Sequence, residues 1–226
     1  MDTEPSMPPG NSQDEIPVYD RRTVTKAIAT ALGLLVVVGG LFLLIRAQYA
    51  SPDADKHYKT VADARRHVVD FKTPRPLPGA AVTEHVPVDA RTARRVETAL
   101  ADFAGKPVFA VLWATWCRPC HAEMVELDRL YPDLARRGLV VLPILTADKA
   151  GAEGARYFYR GKGIGNLPLY TDHGNAMLSA FGTGNLPVGG FISPEGKLLA
   201  VTDGLDLLQE PAQALLRSFA ETGELP

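Results

Sequence analysis

Leu112-Trp113-Ala114-Thr115-Trp116-Cys117-Arg118-Pro119-Cys120-His121-Ala122-Glu123-Met124 contains both cysteines of the chain. A disulfide framework holding a small secreted fold together would use more cysteines at wider spacings. One close pair reads instead as a dithiol whose task is to open and close. The pair separates two periodicities. Before it, Pro107 to Trp113 (PVFAVLW) is a short apolar run, the pattern of a buried strand. After it, Met124, Leu127, Leu130 and Leu134 recur at helical spacing across Pro119 to Arg137, and Gly138 stops the run. The expected geometry is a strand, a turn bearing two cysteines, and a helix.

That geometry gives each residue of the turn a chemical role. A helix N-terminus carries partial positive charge and unpaired amides, both of which stabilise a thiolate. Arg118 adds a positive charge beside Cys117. Cys117 is therefore expected to be an exposed, low-pKa nucleophile, and Cys120, one turn on, the thiol that resolves a mixed disulfide. Pro119 falls in the first helical turn, where its missing N–H costs nothing. Other chemistries share these letters. Cys-x-x-Cys-His spells a c-type haem attachment site, although a β-type run precedes it here. Zinc held by Cys117, Cys120 and His121 would lack a nearby fourth ligand. A static disulfide closing so small a loop would constrain the unfolded chain little. Copper bound by the two thiolates, in an interaction module without turnover, is a further alternative. No cofactor and no resident metal are expected.

The rest of the C-terminal region alternates strands and helices. Val82 to Val88 reads as a short strand, and Arg91 to Phe103 is ambiguous. Leu139 to Leu145 is a second buried strand, Gly151 to Arg160 a helix and Leu167 to Tyr170 a short strand. Asn175 to Phe181 reads as another helix. Val188 to Ile192 and Leu198 to Val201 form a hairpin around Ser193-Pro194-Glu195-Gly196, and Leu207 to Phe219 closes as a helix. Gly161-Lys162-Gly163-Ile164-Gly165 precedes a strand rather than a helix, so it is a loop and not a phosphate cradle. The expected class is α/β, with a mixed central sheet flanked by helices.

Length, composition and charge bound the remainder. The chain has 226 residues, 46% hydrophobic and 22% charged, with a formal net charge of −2. That is a folded domain plus extra segments, with nothing pointing to nucleic acid. Residues 1 to 20 hold five acidic residues, four prolines and no Lys or Arg, and residues 1–26 are expected to be a disordered cytoplasmic tail. Ala27 to Ile45 (AIATALGLLVVVGGLFLLI) runs 19 residues without a charge. As a helix it spans roughly 28 Å, close to the hydrocarbon core of a bilayer. Residues 27–45 are expected to be an uncleaved signal anchor, since Arg46-Ala47-Gln48-Tyr49-Ala50 makes a poor cleavage site. Arg21, Arg22 and Lys26 precede the span, and Arg46, Lys56, Lys59 and Arg65 follow it, so charge does not orient it. Residues 46–80 are expected to form a juxtamembrane helix, with Val61, Ala64, Val68 and Phe71 on one face, followed by a stiff stalk at Thr73-Pro74-Arg75-Pro76-Leu77-Pro78-Gly79. The domain would then occupy residues 81–226.

The stretch from Leu112 to Met124 closely resembles the active-site segment of the TlpA/ResA-like thioredoxins, membrane-tethered thiol–disulfide oxidoreductases. The resemblance covers about Ala81 to Gly204 and also takes in Leu186-Pro187-Val188-Gly189-Gly190-Phe191 followed by Pro194-Glu195-Gly196-Lys197. It implies a thioredoxin-like fold, Cys117 and Cys120 as the redox pair, and Trp116, Arg118 and Pro119 in support. It also implies a cis Pro187 that leaves backbone beside it free to pair with a client, and a Glu123 that tunes the cysteines. The family faces the bacterial periplasm or outer surface. Its implied partners are disulfide-bearing client proteins, among them apocytochrome c and copper-site proteins of cytochrome oxidase assembly. A membrane thiol donor of the CcdA/DsbD kind keeps the pair reduced. Two departures stand out. The strand before the motif, Val108 to Leu112, lacks the buried aspartate of classical thioredoxins, and Leu186 is bulkier than the usual threonine. A peroxiredoxin-type peroxidase is a third reading, but that family places its threonine three residues before the reactive cysteine, and Thr115 is two before Cys117.

Overall fold

The computed structural model describes residues 21–49, 58–77, 81–87, 92–202 and 205–226. The chain divides into two compact units, Met1–Lys56 and His57–Pro226. In the first, Arg21–Tyr49 forms a 29-residue helix, α1. Side chains at positions 21, 23, 24, 27 and 42–49 lie outside the description. Among the described residues taken alone, no helix is long and apolar enough to cross a membrane. Of the disordered tail expected at residues 1–26, residues 1–20 lie outside the described residues, and the expectation is corrected for 21–26, which form the first turns of α1.

The second unit is one mixed sheet with helices on both faces. In chain order it runs α2 (Val61–Arg65), β1 (Val68–Pro76), β2 (Ala81–Pro87), β3 (Ala93–Ala99), β4 (Val108–Trp113), α3 (Arg118–Arg136) and β5 (Val140–Leu145). It continues with α4 (Gly151–Lys162), β6 (Tyr170–Asp172), α5 (Ala176–Phe181), β7 (Val188–Ile192), β8 (Lys197–Thr202) and α6 (Glu210–Thr222). The sheet order is β1-β8-β7-β4-β5-β6-β2-β3. β4, β5 and β6 are parallel, and the other pairings are antiparallel. β4 is central and buried on both faces because its residues are apolar throughout. Phe109, Val111 and Trp113 enter one core, and Val108, Ala110 and Leu112 the other, following the two-residue period of a strand. The α3 stripe at Met124, Leu127, Leu130 and Leu134 fills the first core.

The expected stalk requires correction. Val68–Pro76 is an edge strand paired with β8, with Val68 opposite Thr202 and Val69 opposite Val201, so it belongs to the sheet. Its Val-Val-Asp-Phe start has strand propensity, and Pro74 and Pro76 are tolerated because an edge strand keeps one side unpaired. The helix expected in residues 46–80 is confined, among the described residues after α1, to Val61–Arg65, opened by a capping box between Thr60 and Asp63. The compact unit thus starts at His57, well before Ala81.

Smaller shifts have local causes. β6 begins at Tyr170 rather than Leu167 because the preceding loop is claimed elsewhere. Oδ1 of Asp128, on α3, accepts the N–H groups of Gly165 (3.2 Å), Asn166 (2.7 Å) and Leu167 (2.9 Å). Pro132 cannot donate to the Asp128 carbonyl four residues back, and Asn166 Nδ2 donates to that oxygen instead at 3.3 Å. Arg91 to Phe103 resolves into β3 and a 3-10 turn at Leu100–Phe103.

Candidate active site

The turn after β4 holds the cysteines where the sequence placed them. Cys117 is the N-cap of α3, and Arg118 and Pro119 are its first helical residues. Cys117 and Cys120 are joined in a disulfide with Cα atoms 5.4 Å apart. The Cys120 N–H points at Cys117 Sγ at 3.3 Å. After reduction that amide and the helix dipole remain aimed at the sulfur, the arrangement that lowers a thiol pKa. The expectation of an exposed Cys117 is corrected, because the disulfide form buries it to 3% exposure and Cys120 to 0%. As the N-cap, its side chain turns back over the first helical turn rather than outward. Arg118 and Pro119 are exposed around it, and Trp116 is 62% exposed.

The Leu186–Pro187 peptide is cis, the conformation the resemblance implied. Its location follows from the sheet. β7 runs antiparallel to β4, with Val188 opposite Leu112, so β7 begins where β4 ends. Pro187 therefore emerges at the same end of the sheet as the cysteine turn. Leu186 packs against the core cluster that contains both cysteines.

Glu123 is one helical turn beyond Cys120 and partly buried. Burial, and secondarily the negative charge of Asp206, push its carboxyl up to about 8. At neutral pH the carboxyl therefore keeps its proton. Asp206 is itself fixed. Its carboxylate accepts the Leu208 N–H (3.0 Å) and Gln209 Nε2–H (2.8 Å), and its own N–H donates to the Tyr58 hydroxyl (3.0 Å). Tyr58 is buried at 7% exposure.

His121, whose spacing raised the haem reading, donates from Nε2 to the Thr115 carbonyl at 2.8 Å, with its ring 4.8 Å from that of Phe158. It ties the first turn of α3 to the redox turn. The loop after β5 braces the same turn from the other side. Asp148 Oδ2 accepts the Thr115 N–H at 2.5 Å, and the Ala147 carbonyl accepts the Trp116 indole N–H at 3.0 Å. Sequence reading missed Ala147, Asp148, Asp206 and Tyr58. Each acts across a long sequence separation, and only the Asp residues beside turns carried any local signal. Among the described residues no group of three or more His, Cys, Asp or Glu could hold a metal ion.

The family model described as AhpC/TSA matches residues 78–201, a stretch that takes in β2 and reaches into β8, with the whole cysteine turn between them. The chain belongs to the AhpC/TSA family. Within it, the curated relatives bear out the TlpA/ResA-like resemblance. "Thiol-disulfide oxidoreductase ResA" of Geobacillus thermodenitrificans (strain NG80-2) is 33% identical over 109 residues, 48% of this chain and 60% of that one. The protein of the same name from Bacillus subtilis (strain 168) is 31% identical over 111 residues, 49% of this chain and 59% of that one. The chain thus spans about three-fifths of the length of these relatives. Among solved structures, a putative thiol:disulfide interchange protein DsbE from Chlorobium tepidum matches 67% of this chain and 99% of its own, with a TM-score of 0.52 and 18% identity. At that identity the likeness is one of fold. This AhpC/TSA member therefore has the thioredoxin-like α/β fold expected of it.

Proposed function

We propose that this chain is a membrane-tethered, extracytoplasmic thiol–disulfide oxidoreductase that reduces disulfides in client proteins. The observation that carries the reading is the Cys117–Cys120 disulfide at the N-cap of α3, beside the strand end that carries the cis Leu186–Pro187 peptide. In the reduced protein the Cys117 thiolate attacks one sulfur of a client disulfide. A mixed disulfide forms, and the client's other sulfur leaves as a thiolate. Cys120 then attacks Cys117 Sγ, releasing the reduced client and restoring the intramolecular disulfide. Glu123 serves the proton traffic. Its carboxyl donates to Cys120 when a donor thiolate opens the disulfide, and its carboxylate takes the proton back when Cys120 resolves. Its raised pKa suits that exchange near neutral pH.

The tether reading rests on α1, which carries the uncharged run Ala27 to Ile45. It puts residues 27–45 in the inner membrane and the domain in the periplasm or on the outer surface. A reductase in an oxidising compartment needs an electron source, and a tether keeps it near a membrane thiol donor of the CcdA/DsbD kind. Apocytochrome c and copper-site proteins are the proposed clients. The test is reduction of insulin disulfides by the dithiol form. Turnover by the wild type and none by Cys117→Ser supports the reading. Peroxide consumption that depends on Cys117, without insulin reduction, would replace it with a peroxidase, and stoichiometric copper retained without turnover would replace it with a metal-binding module.

A further inference from the structure

Among the described residues, two non-glycine residues have positive φ, Ala147 at 49° and Asn175 at 60°. Asn tolerates the left-handed region because its short polar side chain bonds locally, but Ala has no such compensation, and its Cβ crowds the following carbonyl oxygen. The two residues meet. Asn175 Oδ1 accepts the Ala147 N–H at 2.9 Å and lies 3.2 Å from the Thr146 hydroxyl. Asp172 holds the base of the same corner. Its carboxylate accepts from that hydroxyl at 2.9 Å and from the N–H groups of Met177 and Leu178 at the start of α5. Glycine at 147 would make this turn without strain, so the alanine is kept in place by its surroundings.

The product of that conformation is the Ala147 carbonyl, which accepts the Trp116 indole N–H at 3.0 Å. Trp116 is otherwise largely exposed and directly precedes Cys117. A large aromatic ring held at one edge and bare on the rest is a rigid apolar contact surface with little ordering entropy left to lose on binding. We propose that Asn175 is a positioning residue for client capture. Through Ala147 it fixes Trp116 as a wall beside Cys117, against which the client chain packs in the mixed disulfide. The proposal rests on the disulfide-exchange reading for its client, while the bracket itself is a property of the folded domain.

The test uses the full chain with Asn175→Gly, which keeps the left-handed backbone at 175 and removes only the amide. Two tryptophans occur in the chain, so the indole region of an 15N–1H spectrum reports Trp116 beside the buried Trp113. The expected result is faster solvent exchange of the Trp116 indole N–H and a loss in kcat/KM toward a protein disulfide of about three- to tenfold, carried by KM. In an Ala147→Gly background the same substitution should cost less, because glycine reaches the left-handed region unaided. Unchanged indole exchange in Asn175→Gly, an equal loss in both backgrounds, or a loss in kcat alone would overturn the proposal. Wild-type protein that reduces no protein disulfide contradicts the exchange function and the client-capture half with it, whereas the indole measurement decides the bracket separately.

Discussion

Glu123 is the residue on which local chemistry and stability meet most directly. Its carboxyl is held near 8 in the folded protein against an ordinary value near 4.5. The folded state therefore keeps a proton that the unfolded state has released, and stability falls as pH rises through that window. Glu123→Gln cannot release a proton, so its urea midpoint should decline less between pH 5 and pH 8 than that of the wild type. An unchanged pH slope would mean that burial and Asp206 do not act on Glu123 as described. Asp128 makes a different kind of contribution. Asp128→Ala leaves the Gly165, Asn166 and Leu167 amides without their shared acceptor and should cost about 2 kcal/mol in urea unfolding. The redox pair and Pro187 were legible in the sequence because their spacing and neighbours are local signals. The burial of Cys117 was not, since it depends on how an N-cap side chain folds back over the helix. The brace from Ala147 and Asp148 was not legible either, because nothing near residue 115 announces contacts more than thirty residues away.

At the scale of elements, β7 shows how closely the site's supports are packed. A Cβ at Gly190 would lie 2.4 Å from the Phe181 ring, and one at Gly189 would lie 2.5 Å from the Phe109 ring. β7 therefore lies against both cores only because these two positions carry no side chain, and it is the strand that continues from Pro187. Gly190→Ala should cost about 1–3 kcal/mol through overpacking, read from chemical denaturation. A neutral result would show that Phe181 has room to move. The Gly-Gly pair was visible in the sequence, but its reason lies in two aromatics from other elements. The sequence located β4, α3, β5, α4, β7 and β8 well, because each has a clear periodicity. It misplaced β1 because prolines at 74 and 76 read as a stiff spacer, and only the pairing with β8 shows them to be at a sheet edge. It placed β6 too early because the loop before it spends its backbone donors on Asp128, an acceptor on α3.

For the whole molecule, the corrected boundary has a direct consequence. Tyr58, α2 and β1 belong to the compact unit, and Tyr58 also anchors the loop bearing Asp206. A fragment starting at His57 should unfold cooperatively, and one starting at Ala81 should be markedly less stable, having lost an edge strand and a buried tyrosine. Equal urea midpoints for the two fragments would restore the stalk reading. Tyr58, near the start of this unit, supplies the hydroxyl that accepts the Asp206 N–H and so steadies the partner of Glu123.

The central claim is that Cys117 attacks a client disulfide and Cys120 resolves it. The most direct measurement is trapping with Cys120→Ser, which removes the resolving thiol and leaves the N-cap cysteine in place. Cells producing this variant should accumulate mixed disulfides between Cys117 and client proteins, released by reductant and visible on a non-reducing gel. The Cys117→Ser, Cys120→Ser double variant should accumulate none. If the Cys120→Ser variant traps no protein, or if the adducts persist without Cys117, the assignment of nucleophile and resolving cysteine is contradicted.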